Sequence, residues 1–290
     1  MQSMEYLITG YNGQLGFDLK KELLKSGVSE DEILVTDVDN MDITKKEDVS
    51  EIFSKYKPKY IFHCAAWTNV DLAEENYDLC YKVNVIGTKN IVDEAKKYDS
   101  KIVYISTDYV FDGTKEGLYE VSDKVNPQSV YGKTKYEGEE LVRLYPKHFI
   151  VRTSWVFGIN GKNFVKTMLN LADSGKKTLN VVADQFGSPT YTVDLAKELV
   201  MMMKTEKYGT YHVNNEGYCS WAEFAEYIFK TNNKDVKVNH ITSEEYKTKA
   251  KRPLNSRLSK KSLDEASFDR LPTWKDAICR YNKELIKERK

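Results

Sequence analysis

The chain has 290 residues, of which 41% are hydrophobic, and its 44 basic and 44 acidic side chains give a formal net charge of zero. This length and composition predict a large buried core, in one domain or in two closely joined ones. The zero net charge argues against a general nucleic-acid binder. No apolar run approaches the roughly 18 residues of a membrane span, and the N-terminus has no signal-like segment. We therefore expect a cytoplasmic protein.

Short apolar runs alternate with longer amphipathic stretches through the first half of the chain. The runs that predict strands are 4–9, 33–36, 60–64, 101–106 and 149–153. The stretches that predict helices are 14–25, a segment from a capping box at Thr44 and Glu47 to about residue 56, 78–98 and 131–144. Strands that alternate with helices pair in parallel through crossover connections, so the pattern predicts a doubly wound α/β sheet.

The pattern is less regular after Trp155. Short strands are predicted near 179–182 and 210–213, and helices near 193–203 and 221–229. We therefore predict a main sheet domain over residues 1–155, to which parts of about 178–215 return, and a smaller lobe formed mainly by residues 156–290.

Three glycines directly follow the first strand at the spacing G-x-x-G-x-x-G. Gly10 can form the tight turn, Gly13 lets backbone amides approach a pyrophosphate, and Gly16 lets the helix pack close to the sheet. The helix begins at this turn, so its free N–H groups and positive dipole end face the phosphates. Asp37 ends the second strand, where an acidic side chain binds the adenosine ribose of a dinucleotide. The motif predicts a dinucleotide site, and the lack of Arg or Lys at 38–40 favours NAD(H) over NADP(H).

The fourth strand ends in Ser106, Thr107 and Asp108, at the sheet edge where ligands bind. Tyr131 and Lys135 share one face of the next helix, and none of the other tyrosines has a lysine four residues later. Reduction of a ketone requires a hydride and then a proton, which a tyrosine donates more easily beside an ammonium group. Thr107 can donate a hydrogen bond to the same oxygen. The pattern therefore predicts a carbonyl reductase.

These motifs together resemble the extended short-chain dehydrogenase/reductase family. The resemblance covers nearly the whole chain and depends on six segments: 13–16, 106–113, 131–135, 152–155, 184–190 and 252–256. It is greatest to the branch that completes dTDP-L-rhamnose synthesis. The resemblance implies a Rossmann-type doubly wound parallel sheet for dinucleotide binding and a smaller C-terminal substrate-binding lobe. It also implies NAD(P)H-dependent reduction of the 4-keto group of dTDP-4-dehydro-6-deoxy-L-mannose to dTDP-L-rhamnose.

By position, the resemblance also implies a set of site residues. It assigns catalysis to Thr107, Tyr131 and Lys135, and substrate binding to Thr107, Asp108, Trp155 and Arg252. The implied contacts to NAD(H), or alternatively NADP(H), are Gly10, Asn12, Gly13, Gln14, Leu15, Asp37, Asp42, Ile43, Ala65, Ala66, Thr68, Tyr131 and Lys135. Three of these residues also have a simpler interpretation: Asp42 as a turn residue, Trp155 as a core aromatic, and Arg252 as a surface charge.

Two positions depart from the family pattern. Trp67 stands where relatives often carry His, which changes the packing on the nicotinamide side. Val193 stands where some relatives place a Glu that binds Mg²⁺ at a dimer interface, so we expect no metal and either a monomer or a homodimer. The four cysteines form no C-x-x-C pair, which predicts reduced thiols and no structural zinc.

Two other functions stay open from the sequence. The first is a nucleotide-sugar epimerase or dehydratase on the same fold, although dehydratases typically carry an Asp-Glu pair where this chain has Asp108 and Tyr109. The second is a non-catalytic regulatory subunit, like the β subunit of methionine adenosyltransferase. That homologue lacks the Arg-Thr-Ser-Trp signature that this chain carries at 152–155.

Overall fold

The structure is a computed structural model that describes residues 4–288. Its strands are β1 (Tyr6–Thr9), β2 (Ile33–Thr36), β3 (Tyr60–His63), β4 (Lys101–Thr107), β5 (His148–Thr153), β6 (Val156–Phe157), β7 (Thr178–Val182), β8 (Phe186–Gly187), β9 (Thr190–Tyr191), β10 (Gly209–His212), β11 (Asn215–Glu216), β12 (Cys219–Ser220), β13 (Lys237–Ile241), β14 (Asn255–Ser256) and β15 (Leu271–Thr273). Its α-helices are α1 (Gln14–Lys25), α2 (Lys46–Tyr56), α3 (Val70–Glu75), α4 (Tyr77–Tyr81), α5 (Thr88–Lys97), α6 (Val130–Arg143), α7 (Phe164–Asp173), α8 (Thr192–Met203), α9 (Trp221–Thr231), α10 (Lys261–Glu265) and α11 (Trp274–Glu288).

A six-stranded parallel sheet in the order β10-β5-β4-β3-β1-β2 forms the centre of the fold. From β1 the chain moves outward to β2, and then returns to the other side of β1 to form β3, β4 and β5. The carboxyl ends of β1 and β3 therefore lie side by side at the point where the strand order reverses, which is where such sheets bind ligands. The predicted doubly wound parallel sheet is confirmed.

The predicted helices of the first half are present with two differences. The helix predicted over 78–98 is divided into α4, a π-helical segment at Lys82–Gly87, and α5. The capping box predicted at Thr44 is wrong, because α2 begins only at Lys46. The Thr44 hydroxyl and backbone N–H instead donate to Asp42 Oδ1 at 2.7 and 3.0 Å, which makes this segment a turn before the helix.

Beyond residue 155 the chain builds a second core of aromatic and aliphatic side chains, in which Phe157, Phe224 and Tyr281 are fully buried. Of the stretch predicted to return to the main sheet, β10 pairs with β5, whereas β7 pairs with β13 in a separate two-stranded sheet. The domain boundary at residue 155 stays a prediction. Within residues 4–288, no helix is long and apolar enough to cross a membrane.

A buried ion pair fastens α6 to the end of the main sheet. The Arg152 side chain at the end of β5 is 2% exposed and that of Glu139 on α6 is 0% exposed. Arg152 Nε and Nη2 donate to the two Glu139 carboxylate oxygens at 2.9 and 2.7 Å. Ser106, which is opposite Arg152 in the register of β4 and β5, donates to Glu139 Oε1 at 2.5 Å. This arrangement holds α6 against the carboxyl end of β4.

The pair gives a stability prediction, because removing one partner leaves a charge buried without compensation. We expect Arg152→Met to lower the free energy of unfolding by about 3–5 kcal/mol in urea denaturation. The matched control is Arg143→Met, since the Arg143 side chain is 42% exposed and also reaches Glu139, at 3.3 Å. We expect the control to cost at most about 1 kcal/mol. Equal losses for the two variants would contradict this account of the pair.

Candidate active site

A cleft of about 820 Å³ opens at the carboxyl ends of the main-sheet strands, between the sheet and the part of the chain that follows Trp155. Its walls come from both sides, including Gly10 after β1, Thr107 at the end of β4, and Trp221 at the start of α9. The predicted site residues that line it are Gly10, Asn12, Gly13, Gln14, Leu15, Asp37, Asp42, Ile43, Ala65, Ala66, Thr68, Thr107, Asp108, Tyr131, Lys135 and Trp155. The predicted cofactor, catalytic and sugar contacts therefore share one cavity.

The glycine turn after β1 packs closely against neighbouring backbone. Gly10 has a φ of +67°, and a Cβ atom there would lie 2.7 Å from the Ala65 nitrogen. A Cβ atom at Gly16 would lie 2.6 Å from the Gly10 carbonyl oxygen, so both positions require glycine. Gly13 is the N-cap of α1, every residue of which the structure describes. No side chain caps this N-terminus, and no acidic residue occupies the first turn of the helix. The N–H groups there are free to bind an anion.

Asp37 connects the end of β2 to this turn. Its Oδ2 accepts from the Asn12 backbone N–H at 2.9 Å, and its Oδ1 accepts from the Val38 N–H at 2.8 Å. Each carboxylate oxygen can accept more than one hydrogen bond, so the group can still receive hydroxyl donors from the cleft. Asp42 also lines the cleft, but its Oδ1 is used by Thr44, so this residue serves the turn as well.

Tyr131 lies in the first turn of α6, and the side chain of Ser129 caps that helix by accepting from the Gly132 N–H at 3.1 Å. The Tyr131 ring packs edge-on to Tyr109 with centroids 5.5 Å apart. Burial raises the pKa of Tyr131 above its usual range, and a hydrogen-bonding contact with the Thr107 side chain opposes that rise. The structure thus brings Thr107 at the end of β4 next to the predicted proton donor.

Lys135 lies one helical turn beyond Tyr131 and is 3% exposed. Its Nζ is 4.1 Å from the centroid of the Tyr104 ring, a cation–π contact. Burial lowers the pKa of Lys135 to about 7, and the negative charge of Glu139 opposes that shift. An ammonium group is therefore held in a poorly solvated position on the face of α6 that carries Tyr131.

Asp108 is buried beside Thr107. Its Oδ1 accepts from the Thr107 hydroxyl at 3.0 Å and its Oδ2 from the Ser256 hydroxyl at 2.5 Å. Burial raises the pKa of Asp108 to about 6, while the hydrogen bonds from Ser256 and Thr107 oppose the rise. Ser256 lines the cleft as part of β14, and it was not among the predicted site residues.

Trp155 has the left-handed φ of +50°, which is unusual for a residue other than glycine. Its ring stacks on Trp221 with centroids 3.7 Å apart and an interplanar angle of 14°. A Cβ atom at Gly187 would lie 2.8 Å from the Trp155 ring. The indole is thus both packed among aromatic side chains and part of the cleft wall. Trp221, also in that wall, had no predicted role.

The remaining expectations concern Arg252, Trp67, a metal site and the cysteines. Among residues 4–288, Arg252 is the predicted site residue that does not line the cleft, and its guanidinium donates to both oxygens of Asp71 at 3.1 and 2.8 Å. Trp67 is likewise absent from the described lining, and its backbone N–H donates to Asn84 Oδ1 at 2.8 Å. Within the described range, no group of three or more His, Cys, Asp or Glu side chains is arranged to hold a metal ion. All four cysteines are free thiols.

Comparison with known proteins gives strong matches over nearly the whole chain. The model of the RmlD substrate binding domain family matches residues 4–287. A dTDP-4-dehydrorhamnose reductase of Aggregatibacter actinomycetemcomitans is 44% identical, covering 94% of this chain and 96% of that protein. A crystal structure of a dTDP-4-dehydrorhamnose reductase from Clostridium acetobutylicum is 46% identical with a TM-score of 0.94, covering 98% of this chain and 100% of that one. A Bacillus anthracis dTDP-4-dehydrorhamnose reductase in complex with NADP is 41% identical with a TM-score of 0.93, covering 97% and 99%.

The glycine turn gives a prediction with a matched control. Gly10 and Gly27 both have positive φ, at +67° and +92°, but a Cβ atom at Gly27 would have nothing within 4 Å. Alanine at either position therefore costs about 1–2 kcal/mol of backbone strain, whereas at Gly10 it also collides with Ala65. We expect Gly10→Ala to abolish measurable NADH binding by fluorescence titration, and Gly27→Ala to retain it. Normal NADH affinity of Gly10→Ala would mean that the turn is not the binding site.

Proposed function

Since this chain belongs to the RmlD substrate binding domain family, we propose that it is an NAD(P)H-dependent dTDP-4-dehydrorhamnose reductase. The proposed reaction reduces the 4-keto group of dTDP-4-dehydro-6-deoxy-L-mannose to give dTDP-L-rhamnose. The observation that carries the proposal is that the glycine turn and the Thr107, Tyr131 and Lys135 side chains line the same cleft. The family resemblance drawn from the sequence motifs is confirmed by the match over residues 4–287.

The residues of the cleft fit a nicotinamide dinucleotide. The turn from Gly10 to Gly16 offers close backbone approach and the uncapped N-terminus of α1 for the diphosphate. Asp37 would receive the adenosine ribose hydroxyls, and Ile43, Ala65, Ala66 and Thr68 would contact the rest of the dinucleotide. When bound and reduced, the cofactor supplies the hydride for the carbonyl carbon of the substrate.

Three side chains of this chain would complete the reduction. Tyr131 donates its phenolic proton to the alkoxide oxygen that develops from the carbonyl. Lys135 stabilises the resulting phenolate, and its buried position strengthens that interaction because water screens it poorly. The Thr107 hydroxyl hydrogen-bonds the same substrate oxygen, for which it would exchange its present partner Asp108.

Other side chains of the cleft would hold the sugar and its nucleotide. Asp108 would accept from a sugar hydroxyl, and the stacked Trp155 and Trp221 rings offer an apolar wall for a deoxysugar. Arg252 would meet the substrate pyrophosphate only after releasing Asp71, because both oxygens of that carboxylate now accept from it. In the present geometry Arg252 forms a partly buried ion pair with Asp71, which differs from both the substrate contact and the surface charge considered above.

The proposed reaction also bears on location and assembly. Nucleotide sugars and NAD(P)H are cytoplasmic metabolites, so we place the chain in the cytoplasm, without a nucleic-acid partner. A monomer or a homodimer stays the prediction for its assembly.

The experiment that tests the function supplies the purified chain with dTDP-, GDP- and CDP-linked 4-keto-6-deoxysugars and follows NADH and NADPH absorbance. We expect oxidation of the cofactor with the dTDP-linked 4-keto sugar, and a 4-hydroxy product. A changed sugar without net loss of NADH would indicate a redox-neutral epimerase or dehydratase instead. Absence of any conversion would favour a non-catalytic regulatory subunit.

The proton donor gives a direct mutational prediction. Tyr131→Phe should lower turnover by about 10²–10⁴-fold, because the phenol is the proposed acid, while leaving the dissociation constant for NADH near its normal value. The matched control is Tyr136→Phe, which removes a hydroxyl from the same helix outside the cleft lining. We expect the control to retain its turnover. Near-normal turnover of Tyr131→Phe would refute the assignment.

Asp37 gives a prediction for the choice of cofactor. A carboxylate that binds the ribose hydroxyls also repels a 2′-phosphate, so Asp37→Ala should weaken NADH binding more than NADPH binding. The control is Asp39→Ala, whose side chain is exposed and does not line the cleft. The measurement is the ratio of the two dissociation constants. An unchanged ratio in Asp37→Ala would argue against recognition of the ribose by this side chain.

A further inference from the structure

A lysine from the second half of the chain enters the cofactor end of the cleft. Lys162 belongs to the segment 158–163, which connects β6 to α7 and is called the β6–α7 loop below. Lys162 lines the cleft, is exposed, and forms no ion pair with any residue from 4 to 288. Neither the glycine motif nor the tyrosine–lysine pair accounts for a cation at this place.

The β6–α7 loop is fixed to the glycine turn on both sides of Lys162. Asn160 Nδ2 donates to the Asn12 carbonyl at 2.8 Å and also lies 3.4 Å from the Gly13 carbonyl. Gln14 Oε1 accepts from Asn163 Nδ2 at 2.9 Å and from the Gly158 N–H at 2.8 Å. The backbone of Lys162 is therefore held directly beside the uncapped N-terminus of α1.

A second lysine of the same region serves the loop itself, which distinguishes it from Lys162. Lys166 Nζ donates to the carbonyl of Gly161 at 3.0 Å and also to that of Ile159. Lys166 does not line the cleft within the described residues, whereas Gly161 and Lys162 do. The loop thus satisfies its own carbonyl groups with one lysine and presents the other to the cavity.

The charges along the cleft favour a role for this cation. The other charged residues of the described lining are the carboxylates Asp37, Asp42 and Asp108, and the ammonium of Lys135. Lys135 is buried at the catalytic end, over the Tyr104 ring. A diphosphate at the glycine turn carries two negative charges and is repelled by the nearby Asp37 carboxylate. A cation beside the diphosphate offsets this repulsion.

We propose that Lys162 binds the diphosphate of the nicotinamide dinucleotide beside the glycine turn. This inference rests on the proposed function, because it names a further residue for the same cofactor. The diphosphate then lies between the amides of the α1 N-terminus and an ammonium group of the β6–α7 loop. One consequence is that the cofactor joins the main sheet to the part of the chain that follows it.

The test measures dissociation constants of the full chain for NADH, NADPH and dTDP by fluorescence titration. Lys162→Gln should weaken NADH and NADPH by the same factor, about threefold to tenfold, and leave dTDP unchanged. Lys162→Arg, which keeps the charge, should retain most of the affinity. The difference between Lys162→Gln and the unaltered chain should shrink at high salt, because the contact is between partly exposed charges. The matched control is Lys176→Gln, an exposed lysine outside the described lining that should not change affinity.

Several results would overturn this proposal. They are an unchanged NADH affinity in Lys162→Gln, an equal loss in Lys176→Gln, or a loss confined to dTDP. A loss for NADPH alone would instead assign Lys162 to the 2′-phosphate and would also contradict it. Failure of the unaltered chain to bind either dinucleotide would overturn the proposed function, and the role of Lys162 with it.

Discussion

The position of α6 against the carboxyl end of β4 is the constraint on which the candidate active site depends. Glu139 on α6 is fully buried, and its carboxylate is held by Arg152 from β5 and Ser106 from β4. Burying two charges is costly, and a pair of apolar side chains could pack as well. The ion pair differs from such packing because its hydrogen bonds fix the helix in one rotation and one register. That rotation brings Tyr131 next to Thr107 at the end of β4 and places Lys135 in the same cleft.

Desolvation then sets the chemistry of the groups that α6 and β4 bring together. Burial lowers the pKa of Lys135 to about 7 and raises that of Asp108 to about 6, so both lie near neutrality from opposite directions. Neighbouring groups oppose each pKa shift. The charge of Glu139 raises the pKa of Lys135, and hydrogen bonds from the Ser256 and Thr107 hydroxyls lower that of Asp108. The cleft is therefore a place where protons can be held or released at modest cost. The second half of the chain contributes to the burial of Asp108 through Ser256, whereas the named neighbours of Lys135 are Glu139 and the Tyr104 ring.

Much of this arrangement could be predicted from the sequence, because it depends on residues that lie close together along the chain. The glycine turn, the polar end of β4 and the Tyr131–Lys135 pair each depend on residues within one turn or one strand end. The missed residues depend on contacts between distant segments. Ser256 reaches Asp108 across 148 positions, and Asn160 reaches Asn12 across 148 positions as well. The capping box predicted at Thr44 has the right residue types, but it does not form because the Thr44 hydroxyl donates to Asp42 instead. The π-helical segment at Lys82–Gly87 keeps the helical period closely enough that apolar spacing alone does not reveal it.

The stacked Trp155 and Trp221 rings have an optical consequence. Two indoles with centroids 3.7 Å apart and an interplanar angle of 14° couple their electronic transitions, and they are two of only four tryptophans in the sequence. Such a pair contributes a coupled band to the near-ultraviolet circular dichroism, whereas Trp274 packs edge-on against Phe224 and Tyr227. Because both rings form part of the cleft wall, a ligand bound against them would perturb that band directly. The protein thus carries an intrinsic chromophore that would report occupancy of this part of the cleft without any added label.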